Sequence, residues 1–261
     1  MAIVQGTQSV SRALTVLRAI AGTREAGMTL GKLTALTGLN KPTAHRLLQV
    51  LVLEGMVEKD QQLQRYFLGP ECHVLGVIAS KRFGITKLAE GIVTGVAQFC
   101  GDTAFLSITH GSESICVLRE DGDYPLKTHA LQPGTRHPLG IVAGGLSILA
   151  EFTDDEVERC LKVNEELLSK NYSQFSTELL RKEVKATRER GYAVNQGLLV
   201  PGSWAIAVPV YGAHREIAGA LGIAAVESRL QQERQDELIP KLKQAAKRLE
   251  ELLLQSERAS A

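Results

Sequence analysis

The order of its helix and strand signals predicts an α+β chain of two domains, a small helical module followed by a larger domain of mixed strands and helices. Three observations lead there. The first 70 residues hold three apolar stripes at helical spacing and then two short strand patterns. Beyond residue 102 the apolar period shortens to that of strands. A length of 261 residues lets two domains each bury a core without disulfide or metal staples.

The stretch SVSRALTVLRAIAG is apolar at Val10, Leu14, Leu17 and Ile20 or Ala21, a helical face that Gly22 ends. TLGKLTALTGL opens at Thr29, a capping residue type, and carries Leu30, Leu33 and Leu36 up to Gly38, which permits a sharp turn. LNKPTAHRLLQVLVLEGMV supplies a third helix with Ala44, Leu47, Leu48 and Leu51 on one face. VEKDQQLQRYFLG then reads as two short strands around a polar tip.

From Pro70 to about residue 100 helical spacing returns at Leu88, Ile92, Val96 and Phe99, the connection between the domains. TAFLSITHGSESICVLRE is a strand, a glycine turn and a second strand, and YPLKTHAL adds a third. Helices are expected at about 140–150, 153–162 and 177–190, the last ended by Gly191. SWAIAVPVY and IAGALGIAAVES, apolar with little alternation, read as buried strands on either side of the turn GAHRE. Residues 230–256 place Leu238, Leu242, Ala245, Leu249 and Leu252 on one face of an amphipathic helix.

Charge narrows the function. The whole chain carries +1, yet residues 1–70 hold eight Lys and Arg against four acids, an excess of four positive charges. The remaining residues therefore carry a net −3. A basic front module on a slightly acidic body suits contact with a polyanion through the module alone. The four cysteines, Cys72, Cys100, Cys116 and Cys160, lie far apart behind an N-terminus with no signal-peptide pattern, which reads as a reduced, cytoplasmic protein. No apolar run reaches the roughly 18 residues that a membrane helix needs.

The third helix explains the module. Pro42, His45, Arg46 and Gln49 repeat the spacing of its leucine stripe shifted by two residues, so they lie opposite the buried face. Pro42 is tolerated in the first turn, where N–H groups lack an intrahelical partner, and Asn40 is placed to cap. A short helix, the turn TGLN and this second helix make a helix-turn-helix, whose second helix enters the DNA major groove N-terminus first. Arg46 then suits a guanine edge and Gln49 an adenine edge, while Lys41, Thr43 and His45 suit phosphates or bases. The hairpin is the wing, with Arg65 near the DNA backbone.

The segments QSVSRALTVLRAI, LTGLNKPTAHRLLQVLVLEGMV, RYFLGP, RERGYAV and PGSWAIAVPVY, in this order, resemble the IclR family of bacterial transcriptional regulators over essentially the whole chain. The resemblance implies a winged helix-turn-helix domain over residues 1–70, a linker helix over 71–90, and a GAF-like effector-binding domain over 91–261. In the last, an antiparallel sheet is flanked by helices. It implies homodimers joined through the DNA-binding domains, with tetramers as dimers of dimers, and double-stranded operator DNA as partner. It also implies a small organic acid held over the sheet by N–H groups at a glycine-rich helix start, matched here by Ala143 and Gly144.

Other positions matched to the family's pocket are Asn195, where an acidic residue is common, Ala205, where a cysteine stands, and Gly222 and Ala224, at two serine positions. Lost hydroxyls and charge with gained space imply a larger, less polar ligand such as an aromatic acid. Strand alternation puts Ser203 and Ala205 on the pocket side and Trp204 on the other. His129, on the strand expected before the helix, and Arg136 and His137, in the loop between, are candidate positive partners for an acid. The wing tip DQQLQ lacks the glycine often found there.

Two other classes are weaker. An enzyme would need a nucleophile or metal motif, and the sequence holds no GxSxG, HExxH, CxxC or P-loop, so no catalytic residue, metal or cofactor is assigned. A constitutive DNA binder would not need the nearly three-quarters of the chain beyond the module.

Overall fold

A computed structural model describes residues 7–23, 26–80, 84–127 and 131–260. Contacts divide the chain into two units, residues 1–83 and 84–261.

In the first unit, α1 (Gln8–Ala21), α2 (Leu30–Thr37) and α3 (Lys41–Leu53) precede the hairpin β1 (Val57–Asp60) and β2 (Arg65–Leu68), and α4 (Pro70–Ser80) follows. Val16, Ile20, Leu33, Ala44, Leu48 and Tyr66 form its core. On α3 the expected stripe is the buried one. On α1 it is so only in the C-terminal half: Ile20 is buried and Leu17 packs on the core, whereas Val10 and Leu14 stay exposed and Val16 is buried instead. The neighbours α2 and α3 meet α1 on the side through Val16 and Ile20. Met28 adds a third rung to the wing, exchanging backbone hydrogen bonds with Tyr66 at 2.8 and 2.9 Å.

The helical stretch expected over 71–90 is α4 followed by α5 (Ile85–Cys100), the latter part of the second unit. There an antiparallel sheet is built from β3 (Thr103–His110), β4 (Glu113–Asp121), β5 (Arg136–Pro138), β6 (Ala193–Gln196), β7 (Ser203–Tyr211) and β8 (Ile217–Val226). Its strand order is β5-β4-β3-β8-β7-β6. One face is covered by α5 and α9 (Gln232–Ser260) over a core that includes Val93, Leu106, Ile206 and Leu242. The other face packs on α6 (Ala143–Ala150), α7 (Asp154–Asn171) and α8 (Thr177–Arg190).

Three expectations are corrected. The third strand is not at 124–131: residues 124–127 are irregular, and 128–130, with His129, lie outside the described residues. The Tyr124 N–H donates to the Gly101 carbonyl at 2.8 Å and Lys127 to the Gly122 carbonyl. The strand beside β4 is Arg136–Pro138 instead, placing Arg136 and His137 on a strand rather than in a loop. On α5 the buried stripe is Ala89, Val93, Val96, Ala97 and Cys100, with Phe99 partly exposed. Small side chains let a helix approach a sheet closely, so they win the inner face from larger apolar ones.

Candidate DNA-binding face and ligand cavity

The turn before α3 is closed by local chemistry. Gly38 takes a left-handed conformation at φ 67°, and the Asn40 side chain accepts the Thr43 N–H at 2.9 Å. With Ala44, Leu48 and Leu51 buried, the opposite side of α3 presents Lys41, Pro42, His45, Arg46 and Gln49 to solvent, with Thr43 half-buried at its edge. Lys41 and Arg46 form no ion pair among the described residues, so both cations are available to phosphate or base edges. At the wing, the Asp60 carboxylate accepts the N–H groups of Gln62 and Leu63, both at 2.8 Å, and Gln64 takes the left-handed role at φ 51°. Arg65 is held back, donating to the Ala26 carbonyl.

The second unit holds a narrow cavity, open at its mouth, between the sheet and the start of α6. Its floor is one row of the sheet: Asn195 opposes Ala205, Ala205 opposes Ala224, and Ala224 opposes Thr103. Side chains paired this way share a face, which is why residues distant in sequence meet here. Phe105, Leu131, Val142 and Ala143 wall one side, and Leu199, Val200 and Ser203 complete the lining.

Among the described residues no charged side chain lines this cavity. Asn195 is committed on both ends, its Nδ2 donating to the Ile141 carbonyl at 2.8 Å and its Oδ1 accepting the Gly197 N–H at 3.1 Å. Thr103 donates to Asp121 at 2.7 Å. Burial works to raise the Asp121 pKa, but hydrogen bonds from Thr103 and Arg119 and the charges of Arg119 and Lys127 outweigh it and hold the carboxyl below its ordinary value. What remains is the Ser203 hydroxyl and the start of α6. There Val142 caps without a side-chain bond, the first intrahelical bond is Leu146 N–H to Val142 at 2.8 Å, and the N–H groups of Ala143, Gly144 and Gly145 have no acceptor among the described residues. Of these three residues only Ala143 lines the cavity, and an unpaired donor at a helix N-terminus favours an anion.

Of the residues matched to the pocket, Ala143, Asn195, Ser203, Ala205 and Ala224 line this cavity. Gly144 and Gly222 lie behind its walls. A β-carbon on Gly144 would stand 2.8 Å from Ser107 Oγ, and one on Gly222 would stand 2.5 Å from the Phe105 ring. The space expected at Gly222 is therefore taken by Phe105. Arg136 turns outward to Glu113 at 3.2 Å, and His137 contacts Tyr172 at 3.1 Å; neither lines the cavity. Trp204 packs on the opposite face of the sheet, toward the α5 and α9 core. Thr103 and Phe105 were readable as pocket residues from the alternation of their strand, whereas Leu199 and Val200 lie in a loop with no periodic signal.

Residues 77–251 match the family model described as bacterial transcriptional regulator IclR C-terminal, and residues 9–61 match the IclR helix-turn-helix domain. The chain is 28% identical to the HTH-type transcriptional regulator KipR of Bacillus subtilis, covering 84% of this chain and 87% of that protein. It is similar in structure to an IclR transcriptional regulator from Alicyclobacillus acidocaldarius, with 28% identity, a TM-score of 0.76, and coverage of 93% and 97% of the two chains. It shares its fold with an IclR homologue of Microbacterium hydrocarbonoxydans solved with 4-hydroxybenzoate, at 21% identity and a TM-score of 0.74, covering 95% of this chain and all of that one. Among the described residues no helix is long and apolar enough to cross a membrane. A helix-turn-helix joined to this C-terminal domain makes the chain a DNA-binding transcriptional regulator, and it belongs to the IclR family.

Proposed function

We propose that operator binding through α3 and the wing is controlled by a small, weakly polar monocarboxylic acid, aromatic in the first instance, held in the cavity of the second unit. The observation that carries this reading is the cavity's lining. Among the described residues it is apolar apart from Thr103, Asn195 and Ser203, holds no charged side chain, and meets the start of α6 at Val142 and Ala143. A carboxylate there meets the helix N-terminus while a flat apolar body lies along Ala205 and Ala224. The Microbacterium relative's complex with 4-hydroxybenzoate supports the same ligand class.

Lys41, Thr43, His45, Arg46 and Gln49 are assigned to the DNA, with Pro42 setting the helix start and Arg65 close to the backbone. The chain works as a homodimer reading two half-sites, and as a tetramer when dimers pair, in the cytoplasm where the chromosome is accessible. The exposed Val10, Leu14, Leu75 and Ile78 of the first unit support association there. A ligand regulates only through unequal affinity for the DNA-competent and incompetent arrangements.

The test is fluorescence anisotropy of a labelled fragment from upstream of the protein's own gene, at two salt concentrations, with aliphatic and aromatic acids. Salt-sensitive binding shifted by aromatic acids is expected. Specific binding that no acid shifts would leave a constitutive DNA binder.

A further inference from the structure

A second cleft, on the far side of α6, has a different chemistry. Strand β6 pairs with β7 only from Trp204 to Ala207, so Val208 to Tyr211 form an uncovered sheet edge. Helices α6, α8 and α9 surround this edge and line a cleft of about 410 Å³ that opens to solvent. Ser147, on α6 one turn beyond Ala143, and Thr187, on α8, line its inner wall.

Both hydroxyl oxygens are buried and neither has a hydrogen-bond partner; Ser147 is 1% and Thr187 4% exposed. A serine or threonine inside a helix ordinarily bonds back to a carbonyl in the preceding turn. Two such hydroxyls from different helices, unpaired on one cleft, call for a polar occupant.

The charged groups around the cleft divide into committed and free. Glu151 accepts the Tyr211 hydroxyl at 2.7 Å, Glu250 accepts the Tyr211 N–H at 3.1 Å, and Arg188 is bound to the carbonyls of Ala150 and Phe152 and to Asp154. Lys243 and Lys247, four residues apart on α9, form no ion pair among the described residues. Two free ammonium groups match a dianion. The remaining lone pairs of Glu151 and Glu250 would repel a second anionic group but accept neutral hydroxyls.

We propose that this cleft is a second ligand site, which takes a hydroxylated phosphate monoester of the sugar-phosphate class. Its phosphate lies against Lys243 and Lys247, and its hydroxyls reach Ser147, Thr187 and the two carboxylates. The site is independent of the acid cavity, since the two share α6 but no lining residue.

Calorimetry of the full chain with glucose 6-phosphate, ribose 5-phosphate and glycerol 3-phosphate tests the proposal, with glucose and inorganic phosphate as comparators. At least one ester is expected to bind more tightly than either comparator. Lys243→Gln with Lys247→Gln, both at exposed positions, is expected to weaken it about tenfold or more. Thr187→Val is expected to weaken the ester yet leave the melting temperature of the ligand-free protein no lower. Absence of binding by all three esters would overturn the proposal, and so would binding indifferent to the lysines or no tighter than that of phosphate alone. A lower melting temperature for free Thr187→Val would also overturn it, because the hydroxyl would then already be paired.

Discussion

Phe105 and Gly222, cross-strand partners on β3 and β8, occupy one volume: the Phe105 Cε2 stands 2.5 Å from where a β-carbon on residue 222 would lie. The ring is 1% exposed and forms a wall of the acid cavity, so the missing side chain on one strand decides the position of the ring on the next. Gly222→Ser should therefore cost about 1–3 kcal/mol through overpacking. Adding Phe105→Ala should give a double variant less destabilised than the sum of the two single ones. Urea denaturation of the four proteins checks this, and strict additivity would separate the two residues.

Ala205 lies mid-floor in the cavity, between Asn195 and Ala224. Ala205→Leu should block the cavity and abolish the response of DNA binding to aromatic acids. DNA affinity without ligand should stay the same. It is a cleaner probe than any substitution at Gly144, where even a β-carbon meets Ser107. A variant that still responds would move the effector elsewhere.

Arg46 is exposed, unpaired and one turn into α3. Arg46→Ala should cost about 1–3 kcal/mol on the operator and relax preference at a single base pair. Competition binding against operators mutated one base pair at a time distinguishes this from phosphate contact, for which the loss would be equal on every sequence.

His137 should make stability depend on pH. Burial pushes its pKa below the ordinary 6.5, only partly offset by Glu113, and its Nε2 is buried without a partner. The folded protein thus holds the neutral ring, and the unfolded chain binds the proton first. Stability is full above pH 6.5 and falls as pH drops from there toward the lower native value. Denaturation midpoints at pH 5 and pH 8 should differ less in His137→Gln than in the parent, and an equal difference would assign the pH dependence to other groups.

Local signals were legible wherever a few consecutive residues settle the outcome. The Asn40 cap, the left-handed Gly38, the buried stripe of α3 and the hairpin that forms the wing all follow from neighbouring residues and were readable at the level of single positions. The capped start and exposed face of α3 were legible for the same reason. At the wing, Gln64 supplies the left-handed residue that the missing glycine left open.

Non-local choices were not legible. Val10 and Leu14 on α1, and Phe99 on α5, carry apolar side chains at helical spacing, yet the buried stripes run elsewhere because neighbouring elements approach from another side. Of the strand expected from YPLKTHAL, residues 124–127 are irregular, with the Tyr124 N–H bonded to Gly101, and the strand beside β4 is Arg136–Pro138.

By itself the sequence determined the helix-turn-helix, the wing and the family, because caps, turns and periodicity act between residues close in the chain. Only the tertiary structure decided that Asn195, Ala205, Ala224 and Thr103 make one row. It also decided that Phe105 fills the space over Gly222, and that Ser147 and Thr187 face a second cleft. Those outcomes depend on strand register and on which helix covers which face, interactions between segments as much as 121 residues apart that no local pattern encodes.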